Sequence, residues 1–345
     1  MEGKSPAQST TTQPPLLDVR RLTKHFPVGG LFHKKQLHAL EDVSFTLQRG
    51  QVIALVGESG SGKSTTARLV ARLIEPTSGQ ILFKGSDVLK TEKRHATLKY
   101  RSDVQMVFQD PFGSLNAVHT VGHHLARPLS IHHKASGRTD RRQKIESLLQ
   151  TVGLTPVEEF ADKFPHELSG GQRQRVSIAR ALAVDPEVLL ADEPISMLDV
   201  SIRMGILNLM ERLKAERGLS YLYITHDVAS ARYIGDETIV MYAGRMVEGA
   251  NSEELIAHPA HPYTELLLAA VPDPHKPMKK ELRVRGEPPR LVDPPAGCPF
   301  APRCPKVMAV CRDIMPGVVH LSSNHWVRCH LYGAGEDAES RGKPA

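Results

Sequence analysis

The chain has 345 residues, 40% of them hydrophobic and 24% charged, with 44 basic against 38 acidic side chains for a net charge of +6. That length suits about two domains with a real core, and the composition excludes a wholly disordered, collagen-like or coiled-coil protein. No apolar run approaches the ~18–20 residues of a membrane span; aromatics are only 5%, and the mild basic excess reads as a solvated surface with no nucleic-acid groove.

Residues 1–15 are polar and lack the apolar segment of a signal peptide, so they are expected to form a disordered leader on a cytosolic protein. A strand is predicted over Leu16–Phe26, a loop over Pro27–Gln36, and a strand or hairpin over Leu37–Leu47. Val52–Val56 is a fully apolar run, the pattern of a strand buried on both faces. It leads into a Gly-rich loop, a helix over Ser64–Leu73, and strands at Gln80–Phe83 and Val104–Phe108. Residues from about 110 to 182 are mostly helical and polar, with Ile145, Leu148, Leu149 and Val152 on one face of a helix over Asp140–Val152 that stops at Gly153. Buried strands return at Val188–Ala191 and Tyr221–Thr225, flanking an amphipathic helix marked by Ile202, Ile206, Leu209 and Leu213. A hairpin follows over Thr238–Val247, turning at Ala243-Gly244. This alternation predicts an α/β nucleotide-binding core over residues 16–255 with a helical subdomain inserted at about 110–182. Beyond residue 256 prolines crowd the chain, and Pro272–Pro295 reads as a linker into a small cysteine-bearing module that ends near residue 333, before a disordered tail over 334–345.

Residues Gly57-Glu58-Ser59-Gly60-Ser61-Gly62-Lys63-Ser64-Thr65 fit G-x-x-x-x-G-K-[ST] between a buried strand and a helix. Such a loop turns its N–H groups toward phosphate oxygens, and the following helix adds a positive dipole end. Lys63 is then the cation for the β- and γ-phosphates of ATP, and Ser64 offers a hydroxyl to Mg²⁺. The strand Val188–Ala191 ends in Asp192, placed to hold Mg²⁺, and Glu193, placed to orient or polarise an attacking water. Ser169-Gly170-Gly171-Gln172 opens a helix that Ser169 can cap, with glycines that admit an anion close to the backbone.

The order of these motifs, with Gln109 before the Ser169–Gln172 segment and Asp199 and His226 after Glu193, resembles the ATPase subunits of ABC transporters over about residues 16–255. The resemblance implies an ABC-type ATPase fold in which two subunits face head to tail. Each ATP then lies between the phosphate loop of one and Ser169, Gly170, Gly171 and Gln172 of the other. It further implies that Gln109 senses Mg²⁺ and the water, that Asp199 crosses the dimer interface, and that His226 contacts the γ-phosphate. An aromatic near the N-terminus stacks on adenine in such proteins, and Phe26 is the candidate; as plain sequence it reads equally as a core residue of the first strand.

His261-Pro262-Tyr263-Thr264, Gly286-Glu287-Pro288-Pro289 and the run from Pro294 through Cys298-Pro299-Phe300-Ala301-Pro302-Arg303-Cys304-Pro305 extend the resemblance to the ATPase subunits of bacterial oligopeptide and dipeptide importers. Phe108–Asn116 and the run over residues 170–175 agree with it. The implied partners are a second, different ATPase subunit, two membrane permease subunits and an extracytoplasmic peptide-binding protein, with the chain peripheral on the cytoplasmic face of the inner membrane. Other cargoes (nickel, glutathione or an opine-like compound) and a non-transport ATPase are the alternatives. The four cysteines, Cys298, Cys304, Cys311 and Cys329, have the spacing C-x5-C-x6-C-x17-C, unlike the paired C-x2-C of a zinc ribbon. Four thiolates suit a [4Fe-4S] cluster, which some importers of this family hold in this segment; zinc and metal-free thiols stay open. His320, His325 and His330 stand near as spare ligands, and Trp326 either covers the site or serves a small core.

Overall fold

The computed structural model of the chain describes residues 14–29, 35–91, 96–270, 289, 291–292 and 294–333. The leader apart from Pro14 and Pro15, most of the proline-rich linker including Gly286–Pro288, and the tail lie outside the described residues.

Among these residues the strands, in chain order, are β1 (Leu17–Val28), β2 (Lys35–Leu47), β3 (Val52–Val56), β4 (Ser78–Phe83), β5 (Ser86–Asp87), β6 (Val104–Val107), β7 (Val188–Asp192), β8 (Ser220–Thr225), β9 (Glu237–Tyr242), β10 (Arg245–Asn251), β11 (Val319–Ser322) and β12 (His325–Val327). They form an antiparallel sheet in the order β2-β1-β4-β5 and a larger sheet in the order β11-β12-β10-β9-β3-β8-β7-β6. In the larger sheet β6, β7, β8, β3 and β9 run parallel, which requires a crossover between each pair and explains why apolar runs alternate with helices in the sequence.

The parallel strands are buried on both faces, and their period of two divides the core. Val52, Ala54, Val56, Leu189, Tyr221 and Tyr223 face a cluster built with the helices of residues 121–182 and 200–217. Ile53, Leu55, Leu190, Leu222 and Ile224 face the opposite way, onto the antiparallel sheet and the helix Lys63–Val70. That helix ends at Val70, short of the predicted Leu73. Arg72 takes a left-handed φ of 56°, and the Leu73 N–H reaches back to the Arg68 carbonyl at 2.9 Å, a closing bond that stops helix propagation.

Between β6 and β7 the chain forms helices at Val121–Ile131, Arg138–Thr151, Val157–Asp162 and Gly170–Leu182. The last of these approaches the helix Val200–Arg217 closely: a Cβ added to Gly171 would lie 2.5 Å from Ile202 Cγ2. Past residue 256 the chain returns to the edge of the main sheet. Residue Glu248 of β10 pairs with Val327 and Ala250 with His325, so the hairpin β11–β12 continues the nucleotide-side sheet. Trp326 lies against Gly249, whose missing side chain makes room for the indole, and is partly buried against the core. No helix among the described residues is long and apolar enough to cross a membrane.

Candidate functional site

The phosphate loop follows from where β3 ends. Its five residues are fully buried, and the chain leaves the sheet at Gly57, where a side chain would strike the Met241 carbonyl oxygen at 2.2 Å. Gly62 takes a φ of 104° and starts the helix at Lys63. Lys63 is 4% exposed, and its ammonium donates to the carbonyls of Gly57 at 2.7 Å and Glu58 at 2.9 Å. Burial lowers its pKa, opposed by the charges of Glu193, Asp192 and Glu58. The cation is therefore held inside the loop among acids, where a phosphate chain is the natural counter-charge.

Three distant segments converge beside it. Ser64 Oγ donates to Asp192 Oδ1 at 2.8 Å, and Asp192, at the buried end of β7, has its pKa raised by burial against that bond. Two hard oxygen donors, one hydroxyl and one buried carboxylate, suit Mg²⁺, which would balance the desolvated acid. Glu193 turns out of β7 with a φ of 46°, a left-handed conformation costly for a non-glycine residue, fixed by its N–H to the Ile224 carbonyl at 2.9 Å. Its carboxylate receives Gln109 Nε2 at 3.0 Å and stands 3.2 Å from His226 Nδ1. Gln109, Glu193 and His226, from the ends of three neighbouring strands, thus form one polar cluster.

Ser169 and Gln172 bond to each other instead: Ser169 Oγ accepts the Gln172 N–H at 3.3 Å, and Gln172 Oε1 accepts the Ser169 N–H at 2.9 Å, capping the helix Gly170–Leu182. Asp199 stands exposed at the start of the helix Val200–Arg217, between exposed Met197 and Val200. Phe26 is half-buried on β1, outside the buried core, with the Lys24 ammonium 4.8 Å from its ring centre.

All four cysteines line one small cavity, walled by Phe300, Pro316 and Leu331. Burial pushes the Cys298 thiol up to about 11 and raises those of Cys304 and Cys329. His330 borders the cavity but bonds the Ile314 carbonyl at 2.9 Å, and His325 is committed to Glu248 at 2.7 Å. Two residues of the C-terminal motifs to which the sequence assigns no role are part of the nucleotide side: Tyr263 and Arg303 both hold Glu58 of the phosphate loop. An acid inside a phosphate-binding loop was the available signal, since it demands a cation nearby.

A phosphate loop at the end of a buried parallel strand, with Asp192, Glu193, Gln109 and His226 at the ends of its neighbours, defines an ATP-binding cassette. The model of the family described as ABC transporter matches residues 40–196, and that of the oligopeptide/dipeptide transporter C-terminal region matches residues 247–311. The oligopeptide transport ATP-binding protein AppF of Bacillus subtilis (strain 168) is 44% identical over 330 residues, 94% of this chain and 99% of that protein. The dipeptide transport ATP-binding protein DppF of Escherichia coli (strain K12) is 45% identical over 312 residues, 90% of this chain and 92% of that protein. Among solved structures, the ATP-binding cassette MJ0796, described as a dimer in a post-hydrolysis state bound to ADP and Pi, superposes with a TM-score of 0.61 at 30% identity, over 68% of this chain and 98% of that one. The chain belongs to the ATP-binding subunits of oligopeptide/dipeptide ABC transporters, and it is a transport ATPase.

Proposed function

We propose that this chain hydrolyses ATP to energise the uptake of di- and oligopeptides through a membrane importer. The observation that carries this reading is the presence, on one polypeptide, of a complete hydrolytic cluster and the peptide-transporter C-terminal region. Lys63 and the loop N–H groups bind the phosphates. Ser64, Asp192 and Gln109 would hold Mg²⁺, which when bound neutralises charge on the phosphate oxygens. Glu193 polarises the water that attacks the γ-phosphate, with Gln109 and His226 fixing its carboxylate, and Phe26 stacks on the adenine.

The working unit is a pair of ATPases, this chain and a different second one, each completing the other's ATP site through Ser169–Gln172 and Asp199. The exposure of Asp199, Met197 and Val200 supports such an interface. Phe112 and Val118 are 49% and 71% exposed just beyond Gln109, an apolar surface on the segment 110–182 suited to one of two permease subunits. The chain then sits on the cytoplasmic face of the inner membrane, with cargo delivered by an extracytoplasmic binding protein. In cells lacking the chromosomal gene, the wild-type chain restores accumulation of a labelled dipeptide and Lys63→Ala does not. Restored nickel uptake without peptide uptake would overturn the cargo.

The four-cysteine cavity suits a [4Fe-4S] cluster, whose four irons each take one thiolate. Tetrahedral zinc needs sulfurs about 3.8 Å apart, from Zn–S bonds of ~2.3 Å. Among the described residues, only His25, His38 and Glu41 form a group of three or more potential ligands with all ligating atoms within 4.8 Å of one another. Any three of the four sulfurs therefore include at least one pair more than 4.8 Å apart, wider than tetrahedral zinc allows, and burial raises the pKa of the Cys298, Cys304 and Cys329 thiols. Anaerobically purified protein is expected to show a broad band near about 400 nm, absent in Cys311→Ser. A colourless protein with stoichiometric zinc would refute the cluster.

A further inference from the structure

Glu58 places an acid inside the phosphate loop. Its carboxylate sits one residue into the cradle, near enough to Lys63 to hold that ammonium's charge. Left bare, it would repel an incoming triphosphate. The structure shows where its charge goes. Arg303 Nη1 donates to Glu58 Oε2 and Nη2 to Oε1, both at 2.9 Å, a two-pronged bond in which the Arg303 side chain is 7% exposed and that of Glu58 28%. Arg303 Nη1 also donates to the Tyr242 hydroxyl at 3.2 Å. The backbone is held too, because the Glu58 N–H donates to the Tyr263 hydroxyl at 2.9 Å. Tyr242, Tyr263 and Phe300 pack ring to ring beneath the guanidinium, with centroids 4.5 to 5.4 Å apart. Arg303 and Tyr263 come from the region after residue 256, and 245 positions separate Arg303 from its partner.

We propose that Arg303 is a positioning residue for ATP: it cancels the Glu58 charge and fixes the phosphate loop in its binding shape, so the C-terminal region completes the nucleotide site from behind. The proposal rests on residues 57–65 being the ATP site, and on neither the cargo nor the contents of the cysteine cavity. Arginine suits the task because its planar fork meets both carboxylate oxygens while the guanidinium lies over the Tyr242 and Phe300 rings; a lysine would keep the charge and lose the fork.

The test is Mg-ATP binding by calorimetry on the full chain, with steady-state turnover alongside. Arg303→Gln is expected to weaken binding about tenfold, one uncompensated charge at close range, with KM rising more than kcat falls. Adding Glu58→Gln to Arg303→Gln is expected to recover most of the lost affinity, because the repelling charge is gone. Arg303→Lys should fall between wild type and Arg303→Gln. A merely structural arginine predicts no recovery, the double variant being no better than the single one. Affinity in Arg303→Gln within about twofold of wild type, or no recovery in the double variant, would overturn the proposal. If Arg303→Gln does not fold, Arg303→Lys carries the test: it keeps the charge and loses the fork, so weaker Mg-ATP binding with KM rising more than kcat falls is expected, and affinity within about twofold of wild type would overturn the proposal. Lys63→Ala is the control: should it bind ATP like wild type, the fault lies in the ATP-site assignment and not in Arg303.

Discussion

Glu193→Gln is expected to lower ATP turnover by about 10²–10⁴-fold while Mg-ATP affinity changes by no more than a few-fold. The substitution keeps the size and the acceptor oxygen that meets Gln109 at 3.0 Å, but it removes the negative charge that draws a proton from the attacking water. The phosphate-binding groups keep their hydrogen bonds, since those of Lys63 and of the Ser64–Asp192 pair do not pass through Glu193. In the head-to-tail arrangement proposed above, the variant should also persist as an ATP-bound dimer, because parting follows hydrolysis. Phosphate release and light scattering on the same sample read both effects. Turnover at the unmutated rate would remove Glu193 from its assigned role and leave the cluster around it unexplained.

The sequence made that cluster legible in part. Residues 57–65 are contiguous, and their glycines announce a backbone shape without help from the rest of the chain. Asp192 and Glu193 stand at the end of a fully apolar run, which locates them at the edge of a buried sheet. What motif order alone could not give was the meeting of Gln109 and Glu193, 84 positions apart, through one hydrogen bond. That follows from β6 and β7 being parallel neighbours, whose C-terminal ends necessarily lie side by side.

Other features left no local trace. No periodicity assigns Arg303 to Glu58, since an ion pair across the fold leaves neither residue in a pattern. The same holds for the pairing of β12 with β10: β12 is three residues long, too short for alternation to register. The end of the helix Lys63–Val70 was missed because Ala71, Arg72 and Leu73 are all good helix formers, and only the left-handed turn at Arg72 stops it. The cysteines were visible as a set, but their spacing did not reveal that they share one cavity.

The second large effect is expected at a residue far from any motif. Glu248 of β10 is 0% exposed, and its Oε1 accepts the Ala260 N–H and His325 Nε2, both at 2.7 Å, while Oε2 accepts the His261 N–H at 2.9 Å. One side chain therefore joins the main sheet to the start of the helix Pro262–Ala269 and to β12. His261 then caps that helix: burial drives its imidazole down to about 4, so its Nδ1 stays free to accept the Tyr263 N–H at 3.0 Å. Tyr263 in turn holds the Glu58 N–H, so the chain of bonds runs from Glu248 to the phosphate loop. Glu248→Ala strands three buried donors and opens a void, and is expected to cost about 3–5 kcal/mol of stability. Glu159→Ala, which removes an exposed partner of Lys163, should change stability by no more than about 0.5 kcal/mol. Urea unfolding of the full chain measures both. If Glu248→Ala proves as harmless as Glu159→Ala, Glu248 does not weld the C-terminal region to the core, and the route from it to the phosphate loop loses its anchor.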